Sequence, residues 1–407
     1  MPRNLRHLRL LVAVAELKSV TLAAEKWHVS QPAVTQALNK LEFRAGGALF
    51  ERSRTGLFPT SRGETLLRRV VSAFALLDPI AKSISPRLLT SLTYPQLQAL
   101  VAVSENENFS LAARQLGLAQ PTVHRAVTQI EREAARSLFE RTAFGIIPTR
   151  LCQSFARAAR LAIYEFDQAD AELAELDGGE AGSLVIGAMP LSRSVLLPSA
   201  LARFRQCYRD MAVRVVDGPY QGLLGDLRRG SIDFLVGALR DPAPIGDIVQ
   251  IPLFEDRLAL LSRPDHPLAM RQTVSVEDLL AYPWVVPHQG TPTRDKFEAI
   301  FSAPGSRAPS RLIESGSLLL IRGLLLESDH LGCISHVQAR TECDRGLLRQ
   351  LPWETDAYIR PIGLTYRTGW RPTRPQQKMV DLLTESSRKA SSITTCPSEH
   401  LETEEAM

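Results

Sequence analysis

Leu8, Leu11, Val12 and Ala15 recur at i, i+3, i+4 and i+7, the spacing that turns one apolar helix face toward a core. Ser19 or Thr21 offers an N-cap for a short second helix over Leu22–Trp27, and His28-Val29 follows as a turn. Ser30 caps a third helix, which accepts Pro32 in its first turn, where a missing N–H costs nothing. Val34, Ala37, Leu38 and Leu41 form the apolar stripe of that helix, while Gln31, Ala33, Thr35, Gln36, Asn39 and Lys40 lie off it. Two short helices joined by a tight turn, the second with a polar outer face, spell a helix-turn-helix. Such a face enters a DNA major groove, where Gln, Asn and Thr pair with base edges. Downstream, Gly56 and Pro59 bound a short hairpin, a wing whose Arg52 and Arg54 would reach phosphates or the minor groove.

The same pattern returns. After a shift of 89 residues, Leu8–Thr60 lies on Leu97–Thr149 without a gap, and about two in five positions are identical. The shared runs are LVAV, LAA, QP, LFER and PT. In the second copy Gln120, Thr122, His124, Arg125 and Gln129 face outward on the third helix, and Arg141 stands in the wing. The second copy also has losses. Ala119 replaces the capping Ser30, which should cost about 1 kcal/mol. Ala135 stands where Gly46 stands, Cys152 where Gly63 stands, and Ala143 where Arg54 stands. The second wing is therefore expected to hold DNA more weakly.

A long helix should follow each copy. Phe155, Ala158, Ala159, Ala162, Ile163, Phe166, Ala169, Leu173 and Leu176 keep helical spacing before Asp177-Gly178-Gly179 ends the run. Thr65–Ile84 is similar but shorter, with Pro79 expected to end or kink it. From Ser183 short apolar runs alternate with helical patterns, beginning with Leu184–Ala188, Val213–Val216 and Ile232–Gly237, which implies an α/β sheet architecture. Further strands are expected at 257–261, Trp284–Val286, 311–314, Leu331–Ser335 and 362–366. The polar segment 386–407 reads as a disordered tail.

Composition sharpens this picture. A chain of 407 residues with 44% hydrophobic and 23% charged residues needs two or three folded units. No apolar run has the length of a membrane span, and the first residues lack a leader pattern, so a cytoplasmic location without membrane contact is expected. The net charge of +4 is unevenly placed. Residues 1–87 carry 14 Lys and Arg against 6 Asp and Glu, and residues 88–160 carry 8 against 5. The remainder is acidic, 26 against 33. A basic front suits a polyanionic partner, whose counterions the cations release. Cys152, Cys207, Cys333, Cys343 and Cys396 are odd in number and contain no CxxC, which argues against a disulfide framework or a zinc site. Cys333 and Cys343 could form a thiol switch, but the apolar run around Cys333 reads as core.

The residues now carry a resemblance. Both copies resemble the winged helix-turn-helix of LysR-type transcription regulators. The first does so through Ala23-Ala24, Val29-Ser30-Gln31-Pro32-Ala33-Val34, Leu41-Glu42, Gly46, Leu49-Phe50-Glu51-Arg52, Pro59-Thr60 and Gly63. The second does so through Ala112-Ala113, Gln120-Pro121, Arg125, Glu131, Leu138-Phe139-Glu140-Arg141 and Pro148-Thr149. Gln36 departs from the arginine usual in the family, which Arg125 keeps. The back half resembles the family's effector domain through Leu184-Val-Ile-Gly187, Leu197-Pro198, Phe204, Gly230–Phe234, Asp265-His266-Pro267 and Leu280–Pro283.

The resemblance implies two tandem winged helix-turn-helix units followed by an α/β two-lobed domain like periplasmic solute-binding proteins. The expected boundaries are 1–61 and 92–150 for the winged units, with 62–91 and 151–179 as linker helices. Lobe I would comprise 180–256 and 360–385, and lobe II 257–359. Linker helices of this family pair subunits, so a homodimer or tetramer through them is implied, with double-stranded DNA and RNA polymerase as partners. A small effector, an anionic metabolite or a sugar derivative, would lie between the lobes. Pro190, Leu191, Ser192, Ser194, Gly237, Gln289, Gly290, Thr291, Thr293, Ser315 and Ser317 are its candidate contacts. They lie at strand ends or place hydroxyls and free N–H groups before helices, where anions bind. Each serine or threonine also reads as an ordinary cap.

Two other readings stay open at this stage. The α/β half could be an enzyme, but it shows no P-loop, nucleotide glycine fingerprint, HExxH or GxSxG, and no cofactor is called for. Alternatively, the second copy could serve assembly rather than DNA reading.

Overall fold

The structure is a computed structural model and describes residues 3–143, 145–302, 308–353 and 358–394. It divides into two compact units, Met1–Ser183 and Leu184–Met407.

The first unit begins with α1 (Leu5–Leu17), α2 (Val20–Lys26) and α3 (Gln31–Ala45). Asn4, Ser19 and Ser30 cap them, each accepting a backbone N–H from the first turn. The wing pairs β1 (Phe50–Ser53) with β2 (Gly56–Pro59) antiparallel, Arg52 opposite Leu57. Then come α4 (Ser61–Ile84) and the single turn α5 (Leu88–Ser91). The second copy consists of α6 (Tyr94–Asn106), α7 (Phe109–Leu116), α8 (Gln120–Ala134), β3 (Phe139–Thr142), β4 (Gly145–Pro148) and α9 (Arg150–Leu176). Shifted by 89 residues, α1 falls on α6, α3 on α8, β1 on β3 and β2 on β4 with the same bounds, and α4 and α9 start in step.

Pro79 does not end its helix: α4 continues to Ile84. A proline removes one ladder bond, and here the burial of Leu77, Ala81 and Ile84 keeps the last turns helical. The core of both copies is one continuous cluster, running from Leu5 and Leu11 through Val70, Phe74 and Leu77 to Leu97, Phe155 and Phe166.

The two long helices, expected to pair subunits, pair with each other inside the chain. Arg62 on α4 bonds Asp177 beyond the end of α9, Arg69 bonds Glu172 and Glu165, and the Phe74 ring meets Phe166 edge-on at 6.0 Å. Residue numbers rise on α4 as they fall on α9, so the pair is antiparallel. Arg9 on α1 holds Asp78 in a fork of 2.7 and 2.9 Å and lies 4.1 Å over Phe74, seating the first copy on its own long helix.

The second unit opens with β5 (Ser183–Ala188), a π-helical turn Ser192–Leu196, α10 (Leu197–Cys207), β6 (Ala212–Val216), α11 (Tyr220–Arg229), β7 (Phe234–Ala238) and β8 (Ile248–Asp256). The chain then crosses into β9 (Leu258–Ser262), α12 (Val276–Leu280), β10 (Trp284–Val286), α13 (Pro292–Ile300), β11 (Leu312–Glu314), α14 (Leu318–Leu326), β12 (Leu331–Ser335), α15 (His336–Asp344) and β13 (Arg349–Gln350). It returns through β14 (Arg360–Arg367) to α16 (Arg374–Thr394). Among the described residues these strands make two five-stranded sheets, β6-β5-β7-β14-β8 and β11-β10-β12-β9-β13. Strands β7, β9, β10 and β12 are buried throughout, as their unbroken apolar runs require.

Segment 386–394 departs from the expected tail. It continues α16, with Ser386, Ser387 and Ala390 buried on the face that carries Met379, Leu382 and Leu383. Serine and alanine admit close packing at helical spacing, which a composition reading takes for a polar tail. Residues 395–407 lie outside the described residues. Among the described residues no helix is long and apolar enough to cross a membrane.

Candidate DNA-reading helices and effector cleft

The Ser30 side chain accepts the Ala33 N–H at 3.4 Å and so fixes where α3 begins. Val34, Ala37, Leu38 and Leu41 are buried beneath it. Ser30, Gln31, Ala33, Thr35, Gln36, Asn39 and Lys40 are all exposed on the other side, with Arg52 and Arg54 exposed in the wing. Thr35 turns its hydroxyl back to the Gln31 carbonyl at 3.2 Å. The side chains of Gln31, Gln36, Asn39, Lys40, Arg52 and Arg54 make no hydrogen bond or ion pair among the described residues. The surface beside them is positive: burial, then Lys40, Arg44 and Arg6, hold the His7 imidazole below its ordinary pKa. Phe43, one turn beyond Asn39 and Lys40, is 89% exposed. It lies off the buried stripe Val34, Ala37, Leu38 and Leu41, a position legible from the spacing alone, and is not among the expected site residues.

The outer face of α8, the second candidate, is more committed. Ala119 gives α8 no side-chain cap. Gln120, Thr122, His124, Arg125, Gln129 and Arg141 are exposed. The His124 ring lies 5.0 Å from Phe109, and its Nδ1 is 3.4 Å from Thr128 Oγ1. Arg125 Nε donates to the Pro121 carbonyl at 3.3 Å, and Gln129 Nε2 donates to Glu133 at 2.8 Å. Glu133 also accepts from Ser91 on α5, so Gln129 is tied to the connector.

In the second unit the candidate effector residues separate into groups. Ser192 is buried and donates to the Met189 and Val236 carbonyls at 2.7 and 2.9 Å, so its hydroxyl shapes the turn. Leu191 is core. Gly237 makes room for Met189, whose side chain would lie 2.5 Å from an added Cβ. Pro190 and Ser194 are exposed, and Ser194 Oγ accepts from Gln338 Nε2 of lobe II at 3.0 Å. Thr291, Ser315 and Ser317 cap or brace α13 and α14, accepting N–H groups at 3.1–3.4 Å. No hydrogen bond among the described residues links Gln289, Gly290, Ser315 or Ser317 to lobe I.

Thr293 does reach across. Its hydroxyl accepts from Arg360, whose Nη2 and Nε hold the buried Asp256 at 2.8 and 3.1 Å. Asp256 also accepts from Ser335 at 2.9 Å, so the crossing strands β8 and β14 are tied to the end of β12. Beside them stands a group that the sequence analysis missed. The Arg240 guanidinium lies 4.4 Å over the Tyr220 ring. Arg240 Nη1 and Tyr220 Oη are both buried without a hydrogen-bond partner among the described residues. Burial lowers the Arg240 pKa, with Tyr220 and Asp295 opposing and Arg360 adding to the fall. Burial pushes the Tyr220 phenol up, against the pull of Arg240. Two unpaired buried donors between the lobes are equipped to take an acceptor group, most simply a carboxylate. The position of Arg240 just beyond the end of β7, and of Tyr220 shortly after β6, was the available signal, because ligands of α/β sheets gather at strand C-termini.

Cys333 and Cys343 do not bond to each other. Burial raises Cys333 far above its ordinary range and Cys343 above it too, and both are free.

Comparison with known proteins follows the same division. A model for the bacterial regulatory helix-turn-helix protein of the lysR family matches twice, at residues 5–64 and 94–153. A model for the LysR substrate binding domain matches residues 177–388. The HTH-type transcriptional regulator GalR of Pseudomonas putida is 35% identical over 369 residues, covering 90% of this chain and 93% of that one. That alignment is longer than residues 94–388 alone can hold, so it reaches into the first copy. The regulator YdcI of Escherichia coli, uncharacterized, is 27% identical over 290 residues, 71% of this chain and 94% of its own. A full-length OxyR variant from Pseudomonas aeruginosa superposes with a TM-score of 0.54 at 20% identity, over 73% of this chain and 95% of that one, a likeness of fold.

Proposed function

Because the chain belongs to the LysR family of bacterial transcription regulators, we propose that α3 and its wing read operator DNA while the cleft between the lobes takes a small anionic effector. The protein is a regulator rather than an enzyme, and LysR regulators bind DNA and small effectors and form oligomers. The observation that supports the reading best is the capped helix α3, with Gln31, Gln36, Asn39 and Lys40 exposed and uncommitted beside Arg52 and Arg54. Gln and Asn suit adenine edges, and the arginines suit phosphates. A chromosomal DNA ligand supports a cytoplasmic location.

In the cleft the supporting feature is the pair Arg240 and Tyr220, with Thr293 and Arg360 adjacent. An effector carboxylate on Arg240 would favour one lobe arrangement, and so bias the DNA-bound form by its difference in affinity for the two. The test is titration of the full chain onto labelled duplex from upstream of its own gene at low salt, against unrelated duplex. Sequence-dependent binding that weakens steeply with added salt is expected. Equal affinity for both duplexes would sink the DNA reading.

A further inference from the structure

The pairing of α4 with α9 has a consequence beyond one operator contact. We infer that a single chain is a covalent pseudo-dimer whose two unlike reading helices, α3 and α8, occupy two unlike half-sites of a non-palindromic duplex. The inference rests on the DNA-reading function proposed above.

The contacts between the copies are reciprocal. Beyond the end of α9, Asp177 bonds Arg62 and lies beside Gly46, where α3 of the first copy ends. Beyond the end of α4, Ser91 of α5 bonds Glu133, near the end of α8 in the second copy. Each long helix thus runs from its own winged unit to the base of the other copy's reading helix. Two winged units joined by an antiparallel, reciprocal helix pair present what a helix-turn-helix homodimer presents to DNA.

The sequence also selects this pairing over pairing between like helices. The 89-residue shift gives each position its counterpart. Arg69, 1% exposed, meets Glu165 and Glu172 on α9. If α4 paired with α4 of another chain, the counterparts facing Arg69 would be Leu76 and Ser83. If α9 paired with α9, Glu165 and Glu172 would face Ala158, the counterpart of Arg69. Either like pairing buries charge without a partner, which strongly disfavours it. Arg62 and Arg68 on α4 and Asp177 after α9 extend the same rule, each paired across.

A homodimer reads a palindrome because its two reading helices are identical. These two are not. Gln31 and Gln120 match, but Ala33 faces the groove where Thr122 does, Thr35 where His124 does, Gln36 where Arg125 does, and Lys40 where Gln129 does. Glutamine favours adenine and arginine favours guanine. One half-site should therefore ask for A where the other asks for G.

The experiment is selection of bound sequences from random duplex by the full-length protein, its Q36R variant and its R125Q variant, all altered only at exposed positions. The expected result is a bipartite site with unlike halves. Q36R should change the preferred base in one half only, and R125Q in the other half only, each by about tenfold in relative affinity. A palindromic site, or an R125Q variant that changes no position, overturns the inference while leaving DNA reading by α3 intact. Failure of the wild type to enrich any sequence overturns the DNA-reading function itself, and the inference with it.

Discussion

Arg69 Nη2 on α4 lies 2.6 Å from Glu172 Oε1 on α9, 103 residues away in sequence, with the arginine 1% exposed. Glu165 completes the group from the same helix at 3.1 Å. This buried cluster joins the two winged copies, and removing one partner leaves charge stranded.

Arg69→Leu should therefore destabilise the N-terminal unit by about 3–5 kcal/mol, the cost of breaking a buried pair. Denaturant unfolding followed by fluorescence in that unit measures it. Replacing Arg69, Glu165 and Glu172 together with apolar residues should recover most of the loss. A loss under 1 kcal/mol for the single change would show the cluster to be solvated and weak.

Acid should loosen the same joint. Burial alone would raise the Glu172 carboxyl, but hydrogen bonds and charge from Arg69, then from Arg68, more than reverse this and hold it below its ordinary range. A lowered folded pKa gives stability that is complete above the unfolded value, about 4.3, and is lost as pH falls through the folded value. The thermal midpoint of the N-terminal unit should stay level toward neutral pH and fall below about pH 4. Glu172→Gln should flatten that fall, and an unchanged acid limb would reject Glu172 as its source.

Copy two can be repaired. Ala135 holds φ +50° at the end of α8, where Gly46 holds +73° at the end of α3, and α8 lacks the side-chain cap that Ser30 gives α3. Ala135→Gly and Ala119→Ser should each add about 1 kcal/mol, and the two sites are far enough apart to add. Equilibrium unfolding of the double variant decides this; a decrease would mean that the surroundings have adapted to alanine.

The wings should be unequal. Arg54→Ala should weaken operator binding more than Arg141→Ala, because the first wing carries two arginines and the second has Ala143 in place of one. Salt-controlled titrations should show the affinity and the salt slope falling together for Arg54→Ala. Equal or reversed losses would count against this ranking.

Effector response should depend on Arg240. Arg240→Gln removes the charge beside Tyr220 and alters only a residue of the second unit. Operator affinity without effector should be unchanged, while the response to small carboxylic acids that act on the wild type should fall at least tenfold, as expected for a lost charged hydrogen bond. A full response in the variant would move the anion site elsewhere in the cleft.

Much of this was legible because it is local. The caps at Ser19 and Ser30, the stripe Val34-Ala37-Leu38-Leu41 and the apolar runs of β10 and β12 are set by neighbours within a few residues, so periodicity and cap chemistry locate them. The duplication lay in the sequence outright, and so did the missing arginine of the second wing and the missing cap of α8. What sequence could not supply depends on residues far apart in the chain. Ser192 looks like a ligand hydroxyl until Val236 closes over it, and Arg240 looks like a loop cation until Tyr220 and the lobe edge bury it. Most of all, the choice of partner for the long helices belongs to the fold. Each helix by itself offers an apolar stripe that any similar helix could cover. Only when Arg69 is buried against Glu165 and Glu172 does charge burial decide that α4 takes α9 rather than a second α4.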